Sequence, residues 1–398
     1  MLNRRDLMKA LGATAASSCL PRMALATADS DARFVLVVLR GAVDGLALAA
    51  PYGDGNYQRA RGELAIAAPG HSGGLLKLDG LFGLNPALLE VHRRYTDGQA
   101  LIVHAVASPY RQRSHFDGQD ILENGAARVG ALRDGWLNRA LGALDSSSEV
   151  AIALAQNTPL VLRGNQDVSS WAPTRLPDVD DSTIARLQRL YAADGFFASR
   201  LEQALRSQDI ADDFSAMAAA KPRGNEAQQF SELMQAASRF LSADDGPRIA
   251  VVELGGWDTH ANQGTSSGAL ANRFTALDNG LQQLHDGLGS HWDKTVVAVV
   301  TEFGRTVHVN GTRGTDHGTG TAAVLLGGAV NGGRVVADWP GLSKNELHEQ
   351  RDLKPTTDIR SLFKAVLQDH LDVPSRHIEQ NVFPDSAAAT ALSGLIVT

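Results

Sequence analysis

Six unbroken apolar runs set the frame of the chain. They are Phe34–Leu39 in "RFVLVVLRGAVDGL", Leu101–Ala107 in "ALIVHAVAS", the stretch "EVAIALA" near Val150, Ile249–Glu253 in "RIAVVELGGWDTH", then "TVVAVVTEFGR" and "AAVLLGG". They are rich in β-branched residues and do not alternate with polar ones. Strands buried on both faces read this way, which predicts a mostly parallel sheet covered by helices. Helical patterns fill the gaps. "NPALLEVHRRYTDG" reads as a helix with Asn85 as its cap and Gly98 as its stop. "STIARLQRLYAADGFFASRLEQALRSQ", "NEAQQFSELMQAASRFLSAD", "SSGALANRFTALDNGLQQLHDGLGS" and "TTDIRSLFKAVLQDHL" follow. Strand–helix alternation predicts a three-layer α/β/α sandwich. Residues from about 165 to 246 are expected to form a helical insert that is part of a cap. No internal repeat appears, and no linker divides 29–398 into two domains.

Composition narrows the partners. The 398 residues are 43% hydrophobic and 20% charged, which suits one large core. The net charge is −7 and no basic block is present, which argues against a nucleic-acid binder. No apolar run reaches the roughly 18 residues of a membrane span.

The first segment, "MLNRRDLMKALGATAASSCLPRMALATADS", has a charged start, a mild Ala/Gly/Leu stretch and a small-residue end. That is the layout of an export signal. Adjacent Arg4 and Arg5 in "NRRDLMK" resemble the twin-arginine signal, so residues 1–28 are expected to engage the twin-arginine export machinery. The destination is then periplasmic or secreted. Cleavage removes Arg4, Arg5, Lys9 and Arg22 with Asp6, and takes the net charge from −7 to −10. The single cysteine, Cys19, leaves with the signal. Ala16 stands where a lipid-anchor motif needs a Leu-like residue. The mature chain then has no thiolate, and any metal is held by Asp, Glu, His, Ser or Thr.

In parallel α/β sheets ligands bind beyond the carboxyl ends of strands. The first strand runs into Asp44, between Gly41 and Gly45. The second leads to "SPYRQRSHFDGQD", with Ser114 at a helix start, His115, Asp117 and Asp120 following, and Arg111 and Arg113 before it. The fourth ends at Asp258 and His260, and the fifth at Glu302 and Arg305. Asp316 and His317 stand just before the sixth. Singly, each has a bland reading. Asp in a Gly loop is a turn former, Ser before a helix is an N-cap, and a strand-end Glu is a solvated charge. Five strand ends carrying oxygen and imidazole donors point instead to one or two divalent ions: zinc, manganese, magnesium or calcium. Ser114 at a helix N-terminus is a candidate nucleophile, with Arg111, Arg113 or Arg305 holding the oxygens of a tetrahedral anion.

"LRGAVDGL", "PYGD", "RSHFDGQDILENG", "GGWDTHANQ", "TEFGRT" and "GTDHGTGTAAVLLGGAVNGGRV" resemble the domain of unknown function 1501 family across nearly the whole chain. That resemblance implies the fold and chemistry of the alkaline phosphatase and sulfatase superfamily, whose members are metal-dependent phospho- and sulfo-hydrolases or mutases. It implies an exported hydrolase of small-molecule or glycan-linked phosphate or sulfate esters. Asp44 and Glu302 would then hold one metal with Ser114, and Asp258, His260 and His317 another. Asp316 is either a ligand or a partner that orients an imidazole. Phe303 departs from the pattern, standing where relatives carry a histidine. The alternative is a metal-binding envelope protein that has lost catalysis and serves in binding or assembly.

Overall fold

The structure is a computed structural model that describes residues 31–144, 150–173, 181–192, 194–195, 197–199, 201–202, 205 and 226–397. The expected export signal, with Arg4, Arg5 and Cys19, lies outside the described residues. Residues Ala32–Thr398 form one compact unit. Among the described residues, no helix is long and apolar enough to cross a membrane.

A nine-stranded sheet is the backbone of that unit. In chain order its strands are β1 (Arg33–Leu39), β2 (Ala100–Ala107), β3 (Ala151–Ala153), β4 (Ser169–Ser170), β5 (Ile249–Leu254), β6 (Thr295–Thr301), β7 (Thr321–Leu326), β8 (Arg334–Val336) and β9 (Thr357–Asp358). The spatial order is β8–β2–β7–β6–β1–β5–β3–β4, with β9 also alongside β2. Only β7 runs antiparallel, against both β2 and β6. The six apolar runs of the sequence form β1, β2, β3, β5, β6 and β7, all but β3 six or more residues long. β4, β8 and β9 are short additions with no apolar run of their own.

Burial on both faces explains why those runs do not alternate. Val35, Val37 and Leu39 of β1 enter one core, and Phe34, Leu36 and Val38 enter the other. Helices α1 (Leu89–Thr96), α4 (Glu226–Ser242) and α5 (Ala269–Leu288) cover the first face through Val91, Phe230, Phe240, Phe274 and Leu281. Helices α3 (Trp136–Leu141) and α6 (Ile359–Asp369) cover the second through Trp136, Leu137, Leu362 and Phe363. The result is the expected α/β/α sandwich with a mostly parallel sheet. Helix α4, expected within a cap, belongs to the sandwich itself because its Phe230, Met234 and Phe240 are core residues. Asn85 does not cap α1, which starts at Leu89. Its buried amide bridges Ala47 O and the Ala87 N–H in a local turn.

This topology brings the exits of β1, β2, β5 and β6 and the entry of β7 to one edge. β2 is re-aimed there by a bulge. Its register pairs His104 with Ala322 and Val106 with Thr321, which leaves Ala105 as the extra residue, at φ 52°. The His104 imidazole holds the bulge. Its Nδ1 accepts the Ala105 N–H at 2.8 Å, so Nε2 donates to Ala49 O at 2.8 Å.

Candidate metal centre

Helix α2 (His115–Asn124) begins directly after the loop that leaves β2, so His115 faces the sheet edge. Asp258 and His260 follow β5, and His317 precedes β7. Ligand atoms of His115, Asp258 and His317 all lie within 4.8 Å of one another, and theirs is the one group of this kind among the described residues. His317 Nε2 is 3.0 Å from His115 Nε2, 3.0 Å from His260 Nε2 and 3.2 Å from Asp258 Oδ1. His260 Nε2 is 3.1 Å from the same carboxylate oxygen.

The other side of each ring explains how the nitrogens came to face inward. His115 Nδ1 meets Glu302 Oε1 at 2.8 Å, His260 Nδ1 meets Asp316 Oδ1 at 3.2 Å, and His317 Nδ1 meets Arg113 O at 2.9 Å. All three are acceptor oxygens, so the partners assign the proton to Nδ1 in every ring. Three Nε2 lone pairs and an anionic oxygen are left pointing at one another. Lone pairs 3.0 Å apart repel unless a proton or a metal ion lies between them. The donor set therefore fits a metal ion.

The charges agree. Burial acts to raise the Asp258 pKa, but the hydrogen bond and charge of Arg305 outweigh it and hold the carboxyl below its usual range. Arg305 Nη1 donates to Asp258 Oδ1 at 2.5 Å. The Glu302 hydrogen bond raises His115, whereas burial, with His115 nearby, lowers His317.

Each residue expected at the site can now be located. Asp258, His260 and His317 converge. Glu302 is fully buried and reaches the cluster only through His115, with its Oε1 also accepting the N–H of Gly41 at 2.9 Å. Gly41 has φ 119°, and a Cβ there would sit 2.7 Å from Asp258 N, so only glycine lets the β1 and β5 exits approach this closely. Asp316 Oδ1 lies 3.2 Å from His260 Nδ1 and accepts from Asn310 Nδ2 at 3.0 Å.

Asp44 is not in the cluster. Its Oδ1 accepts the N–H groups of Leu46 and Ala47, and its Oδ2 is held by Arg61 and by Gln263 Nε2 at 2.6 Å. Both oxygens are occupied, so the expectation of a metal ligand there is corrected to a buried anchor. Gln263 Oε1 is linked to Thr259 and Thr315, and Thr315 to Arg305, so this polar chain supports the arginine that grips Asp258.

The two arginines are also occupied. Arg305 is spent on Asp258 and Thr315, and Arg113 on Asp352 and Glu349. Both position groups of the protein rather than wait for an anion. Ser114 is the N-cap residue of α2, but its side chain makes no cap bond. Asp117 does not close a capping box with it. It accepts Tyr110 Oη at 3.1 Å instead. Phe303 is no vacant ligand position: it is buried and stacks on His115, ring centroids 5.0 Å apart.

His115 stood among the polar residues at the second strand's exit in the sequence, but it was not assigned as a metal ligand there. The available signal was its distance of one residue from a candidate nucleophile at a strand exit.

An α/β/α sandwich with an imidazole-and-carboxylate cluster at its strand exits is thus the class of protein defined by fold and site. The family profile described as "Protein of unknown function (DUF1501)" matches residues 99–382, and the chain belongs to that family. No curated protein matches the chain. Solved structures to which it is similar include the C-terminal periplasmic domain of EcEptC from Escherichia coli in complex with Zn, at 11% identity over 75% of this chain and 74% of that one, TM-score 0.39. A protein in the alkaline phosphatase superfamily from Vibrio parahaemolyticus matches at 12% identity over 81% and 69%, TM-score 0.38. The phosphonate monoester hydrolase of Agrobacterium radiobacter matches at 12% identity over 86% and 74%, TM-score 0.37.

Proposed function

We propose that the protein is an exported metal-dependent hydrolase of phosphate or sulfate esters. The observation that carries this reading is the convergence of three imidazole Nε2 atoms on the Asp258 carboxylate, each ring fixed from behind by an oxygen acceptor. His115, His317 and Asp258 would hold the ion, with His260 as a fourth ligand. A bound divalent ion would supply Lewis acidity, polarising an ester oxygen and lowering the pKa of a hydroxyl or water.

The residues of the chain do the rest. Ser114, next to His115 and free of a capping bond, is the candidate nucleophile. The uncapped start of α2 offers backbone N–H groups to the non-reacting oxygens of a tetrahedral anion. Arg305 holds Asp258 ionised and aimed, and Arg113 fixes His317. Export through the twin-arginine machinery rests on Arg4 and Arg5 and belongs to the same proposal.

The test is a panel of aryl phosphate, phosphodiester and sulfate esters, with zinc or manganese added back to the mature protein. Hydrolysis that His317→Ala abolishes supports the reading. Full activity in His317→Ala overturns it. A second reading, a metal-binding envelope protein without catalysis, draws on the internal use of Asp44 and Glu302, which leaves one ion rather than two. Metal binding without turnover on the whole panel would favour it.

A further inference from the structure

Among the residues other than glycine with left-handed backbone are Arg113 (φ 62°), Glu349 (φ 52°) and Gln350 (φ 56°). Such conformations are strained and persist where the surroundings hold them. Here they serve one contact. Arg113 turns its carbonyl to His317 Nδ1 at 2.9 Å, while its Nε donates to Asp352 Oδ2 at 2.8 Å and its Nη2 bonds Glu349. Asp352 is fully buried, and burial raises its pKa even though it faces two arginines, Arg113 and Arg351. The same short segment pairs with the loop that carries His317. Asp352 and Thr306 form a backbone bridge, Val307 N donates to Arg351 O at 3.3 Å, and Thr306 N donates to Asp316 O at 2.8 Å.

We infer that Asp352 is a positioning residue for the metal centre, acting through Arg113 on the tautomer and aim of the His317 ring. The segment Leu347–Asp352 is a clamp over two loops. It fixes the Arg113 side chain, hence the Arg113 carbonyl, hence the proton on Nδ1 and the free lone pair on Nε2. Partners of this kind typically change metal affinity by about 10–100-fold when lost. The inference rests on the metal reading above, and its experiment is chosen so that the two fail separately.

The experiment measures two things on the folded, mature protein. One is the His317 ring tautomer in the metal-free state, by nitrogen-15 NMR. The other is zinc affinity, by competition with a chromophoric chelator. Arg113→Gly accepts the φ of 62° without strain and removes the guanidinium together with the rest of the side chain. It should mix the two tautomers of His317 and weaken zinc by roughly tenfold or more. Asp352→Ala should do the same. Asp352→Asn, which keeps an oxygen for Arg113 Nε–H, should recover most of the loss. If Asp352→Ala fails to fold, Arg113→Gly and Asp352→Asn decide. An unchanged His317 tautomer and wild-type affinity in Arg113→Gly overturn the clamp. A wild type that binds no zinc overturns the metal reading, while the tautomer comparison still judges the clamp.

Discussion

Glu302 accepts the Nδ1–H of His115 at 2.8 Å, so the carboxylate that follows β6 acts on the cluster through an imidazole at the start of α2. Carboxylate–histidine pairs of this kind fix the ring and raise its basicity as a ligand. Glu302→Gln keeps the shape and removes the charge. Zinc affinity should fall by about 10–100-fold, with the melting temperature nearly unchanged. A chelator competition assay reads this directly, and affinity equal to wild type would remove Glu302 from the account.

Asp44 should behave as a stability residue. Asp44→Ala strands Arg61, which is fully buried, without its counter-ion. Breaking one side of a buried pair typically costs about 3–5 kcal/mol. Denaturant unfolding should show a loss of that order. Whatever fraction folds should still bind one zinc per chain. Unchanged stability with a lost metal ion would restore Asp44 as a ligand.

Gly118 lets α2 lie against the residues after β6. A Cβ there would sit 2.8 Å from the Phe303 ring. Alanine is the better helix former by about 1 kcal/mol, but overpacking costs about 1–3 kcal/mol and pushes α2 outward with His115. Gly118→Ala should therefore weaken zinc more than it changes the melting temperature. Alanine at this position with full zinc affinity would show that α2 and Phe303 are not in tight register.

His104 gives a pH dependence with a definite sign. Burial pushes its pKa down to about 4, below the ordinary value near 6.5. The unfolded chain therefore takes up the proton more readily across that interval. Stability is fully present above about pH 6.5 and is lost as pH falls toward 4. Protonation also removes the Nδ1 acceptor that holds the Ala105 N–H in the bulge. Between pH 7.5 and pH 5 this one group should cost about 2 kcal/mol. Denaturant titrations of wild type and His104→Gln at the two pH values isolate it. Equal losses in both would assign the acid sensitivity elsewhere.

Much of this was legible in the chain because a doubly buried parallel sheet writes itself as unbroken apolar runs. Once those runs are strands, Asp258, His260 and His317 fall at one edge by topology alone. Asp44 misled because its partners, Arg61 and Gln263, come from distant loops and leave no trace in its local "AVDGL" context. Glu302 was rightly put at the edge, but its burial and its bond to His115 depend on how α2 packs. Phe303 read as a missing ligand because sequence position does not reveal that the start of α2 supplies the imidazole that stacks on it. The left-handed backbone at Arg113 is equally silent, since arginine carries no signal for positive φ.

The central claim is that one divalent ion sits among His115, His317 and Asp258, with His260 beside it. Anomalous diffraction from crystals of the zinc-loaded mature protein tests it most directly. The account expects one strong peak about 2.0–2.2 Å from Nε2 of His115 and His317 and from an Asp258 oxygen. A peak held instead by Asp44 and Glu302, or no peak at the three converging side chains, would contradict it.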